Sequence, residues 1–226
     1  MENLKERYSD IIDALEEELS TYEYFMKNVR NFFETTKVKK HVHSVRSRLK
    51  DTEHLIEKIH RKNLEDEVLP EAERKGPITR ENIFSRITDI AGIRILHLHL
   101  SQFENIHNEI MKAIEEGEYA LVEKPKAYTW DPESTAYFER LGLPPHVKES
   151  FYTSIHYVIK PNGTTKTTCC EVQVRTLLEE VWGEIDHTMN YPVVHTSEEC
   201  KEQIKILARL IGTGSHLADS IMRRYK

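Results

Sequence analysis

Apolar residues recur every three to four positions from Tyr8 through Ile11, Ile12, Leu15, Leu19, Tyr22 and Met26 to Val29, Phe32 and Phe33. That period predicts a long helix over about residues 1–36. Similar spacing in Val45, Leu49, Leu55, Ile56 and Ile59 predicts a second helix from about His41 to Lys62. Pro70, Gly76 and Pro77 then interrupt the pattern, with a short helix expected around Arg80 to Arg86. Ile87 to Leu96 is a β-branched run that reads as a strand, entered through Asp89 and containing the small pair Ala91-Gly92, where another group can approach the backbone. His97 and His99 alternate at its end and, with no Cys or acid beside them, read as surface histidines. Phe103, Ile106, Ile110, Met111 and Ile114 predict a helix ended by Gly117, and Tyr119 to Val122 a further strand. A strand, helix, strand order implies a crossover and an α+β or α/β core.

The second half is punctuated differently. Glu123 to Phe151 is a long irregular stretch holding Pro125, Pro132, Pro144 and Pro145, with a short helix expected from Pro132 to Leu141. Tyr152 to Lys160 reads as a strand, and Pro161-Asn162-Gly163 turns the chain back into a second strand, making a hairpin. In that second strand Cys170, Val172 and Val174 alternate with Glu171, Gln173 and Arg175, so the apolar trio faces a core and the polar trio forms a row about 7 Å apart at each step. Thr176 with Glu179 is a capping box that starts a helix at once, with Leu178, Val181, Trp182, Ile185 and Met189 as its buried stripe. Tyr191-Pro192 closes that segment. Ser197 opens a last helix whose stripe of Ile204, Leu207, Leu210, Ile211, Leu217 and Ile221 should pack on the core or on another subunit, around a soft spot at Gly212-Thr213-Gly214.

Charge changes this picture in one place. The net charge of -6 is unevenly spread: residues 1–25 carry eight acids against two bases, whereas residues 37–62 carry nine bases against three acids. The basic window suits a phosphate-bearing partner, although a helix face laced with ion pairs has the same composition. Three cysteines, two of them adjacent, give neither a disulfide framework nor a metal pair, and no run approaches a membrane span. The cytoplasm is the expected compartment.

The two hairpin strands are adjacent, so Tyr152, Ser154 and His156 are expected on the same side as Glu171, Gln173 and Arg175. A polar row on a strand is ordinarily the wet face of an antiparallel sheet. A ring, an imidazole, a carboxylate and a guanidinium together are more varied than a solvated face requires, and they point to a nucleotide site.

Four segments taken together, Asp89-Ile90-Ala91-Gly92-Ile93-Arg94, Tyr152-Thr153-Ser154-Ile155-His156, Glu171-Val172-Gln173-Val174-Arg175-Thr176 and Trp182-Gly183-Glu184-Ile185-Asp186-His187, resemble the RelA/SpoT synthetase domain in order and spacing. The resemblance runs from about Val38 to Tyr191. Length, and the lack of a hydrolase segment or regulatory tail, liken the chain to the small, single-domain alarmone synthetases. It implies an α+β fold: a nucleotidyltransferase-like mixed β-sheet flanked by helices, with the catalytic core at 37–192, an N-terminal helix at 1–36 and a C-terminal helix at 193–226. It also implies transfer of pyrophosphate from ATP to the ribose 3′-hydroxyl of GDP or GTP, with Mg²⁺ as cofactor.

By the same resemblance Asp89 and Glu171 are the catalytic and metal-binding carboxylates, and Arg48, Lys50 and Lys58 hold ATP. Lys126, Lys148, Tyr152 and His156 are expected to contact the acceptor, joined by Gln173 and Arg175 of the polar row. The acceptor segments depart from the family pattern. K-x-N-G-Y reads Lys148-Glu149-Ser150-Phe151-Tyr152, and R-x-K-D reads Lys124-Pro125-Lys126-Ala127. The alternatives are therefore transfer to the tRNA 3′ end or to an adenine nucleotide, as toxic relatives are understood to do, and a non-catalytic nucleotide- or RNA-binding module. Retention of both carboxylates argues against the last. A homo-oligomer and a neutralising antitoxin protein are further expected partners.

Overall fold

The computed structural model describes residues 2–164, 167–190 and 197–225. In chain order its elements are α1 (Glu2–Arg7), α2 (Ser9–Glu34), α3 (Thr36–Lys39), β1 (Ser44–Leu49), α4 (Thr52–Glu67), α5 (Ile83–Arg86), β2 (Ala91–His97) and α6 (Ser101–Glu115). There follow β3 (Tyr119–Leu121), β4 (Lys126–Tyr128), α7 (Pro132–Arg140), β5 (Pro145–His146), β6 (Ser154–Pro161), β7 (Cys170–Thr176), α8 (Leu177–Asn190) and α9 (Glu198–Tyr225). The sheet order is β1-β2-β7-β6-β4-β5, with β3 also on β6. β2 and β7 run parallel, as do β4 and β5, and the other pairs are antiparallel. The fold is α+β: a central mixed sheet flanked by helices, with helical extensions at both ends.

Alternation decides which face of the sheet is core. Ala91, Ile93 and Ile95 of β2 and Cys170, Val172 and Val174 of β7 point to one side, where α2 lays Tyr22, Phe25, Val29 and Phe33 against them. Each such side chain removed from water contributes roughly 1.5–3 kcal/mol, so this contact anchors the sheet. The opposite face keeps Gly92, Arg94, Glu171 and Gln173, and α8 passes over part of it.

Several expectations need correction. The helix expected from His41 to Lys62 is a strand followed by a helix: β1 pairs with β2 from Ser44 to Leu49, and Asp51 then caps α4 by accepting from the amides of Glu53 and His54. Positions four apart share a face in a strand as well as in a helix, so Val45 and Leu49 fitted both periods. The N-terminal helix is interrupted at Thr35, whose extended backbone separates α2 from α3. The irregular stretch after Glu123 contains two short strands, β4 and β5, besides α7.

His97 and His99 are buried, not surface residues; His97 bonds the His99 carbonyl at 3.1 Å, and His99 faces Asp219 of α9 at 3.3 Å. The stripe on α8 is buried only at Trp182, while Leu178, Val181 and Ile185 are 37–49% exposed. α9 is continuous through its glycines. A Cβ at Gly212 would lie 3.2 Å from Trp130 and one at Gly214 3.2 Å from Leu178, so these positions allow close packing instead of softening the helix. On α9 the buried residues are Ile204, Ala208, Ser215 and Asp219, whereas Leu210, Leu217 and Ile221 are exposed. The expected junction at 192–193, with Tyr191-Pro192, lies outside the described residues. No helix among the described residues is long and apolar enough to cross a membrane.

Candidate active site

Strand register builds the site. Arg46 of β1, Arg94 of β2, Gln173 of β7, His156 of β6 and Lys126 of β4 are lateral neighbours in one row, and Arg48, Gly92, Glu171 and Val158 form the next. Residues in lateral register share a face, so one side of the sheet carries cations at its β1 edge, carboxylate and amide in the centre, and imidazole beyond. Gly92 leaves a gap between Arg48 and Glu171; a side chain there would meet only the Arg48 carbonyl, at 3.9 Å, and would fill the space above the sheet. That space is a cleft of about 600 Å³ lined by Arg48, Asp89, Tyr152, Glu171, Gln173 and Arg175 among others.

At one end, Asp89 precedes β2 and receives Lys50 at 2.8 Å and Lys58 at 2.7 Å, both on Oδ2. Lys50 follows β1 and Lys58 lies on α4, so the strand and helix that replace the expected single helix bring them together from two directions. Burial works to raise the Asp89 pKa, but the two ammonium groups outweigh it and the carboxyl falls to about 2. Lys50 moves the other way: burial lowers it, and sharing one carboxylate oxygen with Lys58 does not restore it. Oδ1 of Asp89 is buried with no hydrogen-bond partner among the described residues. Lys62, one turn beyond Lys58, is lowered by burial and by the Lys58 charge while feeling Asp89 and Arg86, so the cationic cluster extends past the residues read from the sequence. Arg48 points into the cleft from β1.

At the cleft centre, Glu171 accepts from Gln173 at 2.8 Å and lies 3.2 Å from Nδ1 of His156. Burial works to raise Glu171, but the bond and charge from His156 prevail and its pKa is lowered, against a smaller opposing push from the Asp89 charge. The other ring nitrogen of His156 is 2.9 Å from the Tyr152 hydroxyl. Tyr152, His156 and Glu171 therefore form a chain, with the phenol donating to Nε2 and Nδ1–H donating to the carboxylate. Burial raises the Tyr152 pKa, which keeps the phenol protonated. Lys148 lies over the rings of Tyr128 and Tyr152, at 4.3 and 4.5 Å from their centroids.

Two expected acceptor residues differ from the rest. Lys126 shares the face of His156 but pairs with Glu123 at 2.5 Å at the surface. Arg175 lines the cleft yet is buried and ion-paired with Glu180 at 2.9 Å, beneath Tyr152. Glu180 also receives Arg46 and Arg94, and Arg94 reaches Glu184 as well. This network between β1, β2, β7 and α8 was not singled out from the sequence, although Glu180 and Glu184 one turn apart on a predicted helix were a usable signal. Gly183, between them, leaves room for the Arg175 guanidinium, which a Cβ would strike. Ser154, expected on the site face, is there but fully buried.

Among the described residues no group of three or more His, Cys, Asp or Glu side chains gathers as a metal cluster. The open oxygen of Asp89 and the carboxylate of Glu171 in the same cleft are hard donors, which fit a divalent ion that keeps waters and takes other ligands from phosphate.

Fold and cleft define a mixed-sheet α+β protein with two carboxylates between a lysine cluster and an aromatic wall. Residues 47–196 match the family described as "Region found in RelA / SpoT proteins", and the chain belongs to that family. It carries a RelA/SpoT-type synthetase domain homologous to the small alarmone synthetases. A curated relative, GTP pyrophosphokinase YwaC of Bacillus subtilis (strain 168), is 24% identical over 88% of this chain and 81% of its own length. The crystal structure of the small alarmone synthetase 1 from Bacillus subtilis aligns with a TM-score of 0.68 at 22% identity, covering 94% of this chain and 98% of that one. The same synthetase bound to its product pppGpp aligns with a TM-score of 0.56 at 20% identity, covering 100% and 99%. At the glycine position of the K-x-N-G-Y pattern, Phe151 adopts a φ of +63°. The backbone is left-handed there although the residue has a side chain.

Proposed function

We propose that the chain is an ATP-dependent pyrophosphokinase that transfers the terminal pyrophosphate of ATP to the ribose 3′-hydroxyl of GDP or GTP. The observation that carries the reading is the convergence of Asp89 and Glu171 on one cleft between a lysine cluster and a tyrosine–histidine wall. Membership of the family and the activity named for the curated relative point the same way.

In this reading Arg48, Lys50 and Lys58 bind the triphosphate, whose concentrated charge needs several donors. The acceptor base stacks on Tyr152, with Lys148 and His156 beside it. Glu171, held by His156 and Gln173, accepts the 3′-hydroxyl proton as the oxygen attacks the β-phosphorus; the new O–P bond forms as the bond from the β-phosphorus to the α-phosphate oxygen breaks, and AMP leaves. Asp89 and Glu171 would hold Mg²⁺, which supplies charge neutralisation at the phosphoryl oxygens. Positioning and cationic neutralisation account for most of the catalysis.

The test is purified protein with Mg²⁺ and ATP labelled at the γ-phosphate, offered GDP, GTP, ADP or deacylated tRNA. Label on a guanine nucleotide is expected. The changed residues Ser150 and Phe151 lie on the acceptor side, so label on tRNA or an adenine nucleotide would keep the chemistry and replace the acceptor. No label on any of them would leave a binding module.

A further inference from the structure

Phe151 holds a backbone conformation that strains any residue with a Cβ, at φ +63°. Its amide bonds the Lys148 carbonyl at 3.0 Å, closing a turn immediately before Tyr152. A strained conformation persists only where its surroundings over-determine it. Here the Phe151 ring stacks on Trp130, with centroids 5.1 Å apart and planes 19° from parallel. On α9, the Arg209 guanidinium lies 5.3 Å and the Lys205 ammonium 6.0 Å from the Phe151 ring. Trp130 is itself packed on Gly212 of α9, the point at which a Cβ would crowd it. Phe151 and Tyr152 both pack against the small core of Trp182, Ile204 and Ala208 that joins α8 to α9.

The consequence falls on the next residue. With the turn in place, the Tyr152 hydroxyl reaches His156, its ring lies edge-on to Tyr128 at 5.9 Å, and Lys148 covers both rings. An ordinary φ at residue 151 would redirect the chain and take Tyr152 out of that arrangement. We propose that Phe151 is a positioning residue: its ring is the latch through which Trp130 and the C-terminal helix hold the Lys148–Tyr152 loop, and with it the acceptor ligand. The inference rests on reading the Tyr152 side as the acceptor side. Phe151 touches no reacting group, and α9 bears on the acceptor side through this ring as well as through the packing of Tyr152 on the small core it shares with α8.

Hydrogen exchange over residues 148–153 tests the latch without reference to activity. Phe151→Gly removes the ring and the strain together, so exchange in the loop should rise about tenfold or more, with global unfolding protection elsewhere unchanged. Phe151→Tyr keeps a ring and should restore protection. Arg209→Gln, at an exposed position, should raise loop exchange about threefold and serves alone if the other variants fold poorly. In the transfer assay, with GDP or whichever other acceptor takes label, Phe151→Gly should raise the acceptor KM about tenfold and leave the ATP KM in place. Unchanged loop exchange in Phe151→Gly, or in Arg209→Gln where that variant stands alone, overturns the latch. So does an ATP KM that rises together with the acceptor KM. If the wild type labels no acceptor, the proposed function fails while the exchange result still decides the latch.

Discussion

The two ends of the cleft are held by different forces. Around Asp89 the structure is electrostatic: two ammonium groups, one just past β1 and one on α4, meet one oxygen of a carboxylate just ahead of β2, so the three elements hold the cluster at their ends. Around Tyr152 it is made of ring contacts, one imidazole and a strained turn, on a loop outside regular structure. Ion clusters on strands and helices tolerate little change of geometry, because each charge moved strands another in a poorly solvating place. Rings stacked around a loop give shape selection with more room for substitution. The departures from the family pattern fall on that second side, where a different acceptor would be accommodated.

Substitutions can break this contrast. The largest effect is expected at the centre, where Glu171→Gln should lower transfer by about 10²–10⁴-fold with the thermal midpoint unchanged, since its amide oxygen can still accept from His156 and its NH2 can donate to the Gln173 side-chain oxygen once that amide turns over. Retained turnover would remove Glu171 from its role. Lys58→Ala should raise the ATP KM roughly 10- to 100-fold, the equivalent of one charge-assisted hydrogen bond, and leave the acceptor KM near wild type. Tyr152→Ala should do the reverse, weakening the acceptor by ~1–3 kcal/mol of stacking while ATP is unaffected. Equal losses of both ligands in either variant would mean that the two ends are not separate.

Acid sharpens the comparison, because β2 connects a buried charged group to a buried neutral one. Burial depresses His97 from about 6.5 to about 4, so the unfolded chain takes up a proton that the folded one refuses. The stability this group contributes is complete above pH 6.5 and is lost as pH falls toward 4, at roughly 1.4 kcal/mol per unit across that window. Asp89 has a depressed pKa of about 2, and its contribution is present above about 3.8 and is lost only as pH falls through 2. Urea midpoints between pH 7 and 4 should therefore decline in the wild type and decline less steeply in His97→Gln, where the slope left comes in part from His107, also lowered by burial, while Asp89→Asn should leave that slope unchanged. The smallest effect is expected at Lys126→Ala, within about threefold on the acceptor KM, because an exposed pair with Glu123 contributes little. A larger change would bring Lys126 into the site.

Much of this protein could be read along the chain because its signals are local. The alternation of Cys170, Val172 and Val174 with Glu171, Gln173 and Arg175 and the Thr176–Glu179 cap depend on neighbours within a few residues, and both appear as expected; β6 and β7 pair antiparallel as a hairpin requires, although β6 ends at Pro161 and β7 begins only at Cys170. They were enough to indicate the hairpin, the helix after it and a shared polar face. Where two periods coincide, as at Val45 and Leu49, the local signal was degenerate, and only pairing with β2 made that segment a strand. The grip of Lys50 and Lys58 on a single oxygen of Asp89, the contact of buried His99 with Asp219 of α9 and the left-handed Phe151 clamped between Trp130 and Arg209 join residues far apart in sequence. Such contacts depend on how whole elements pack, and burial and charge pairing act across space, so tertiary structure alone decided them.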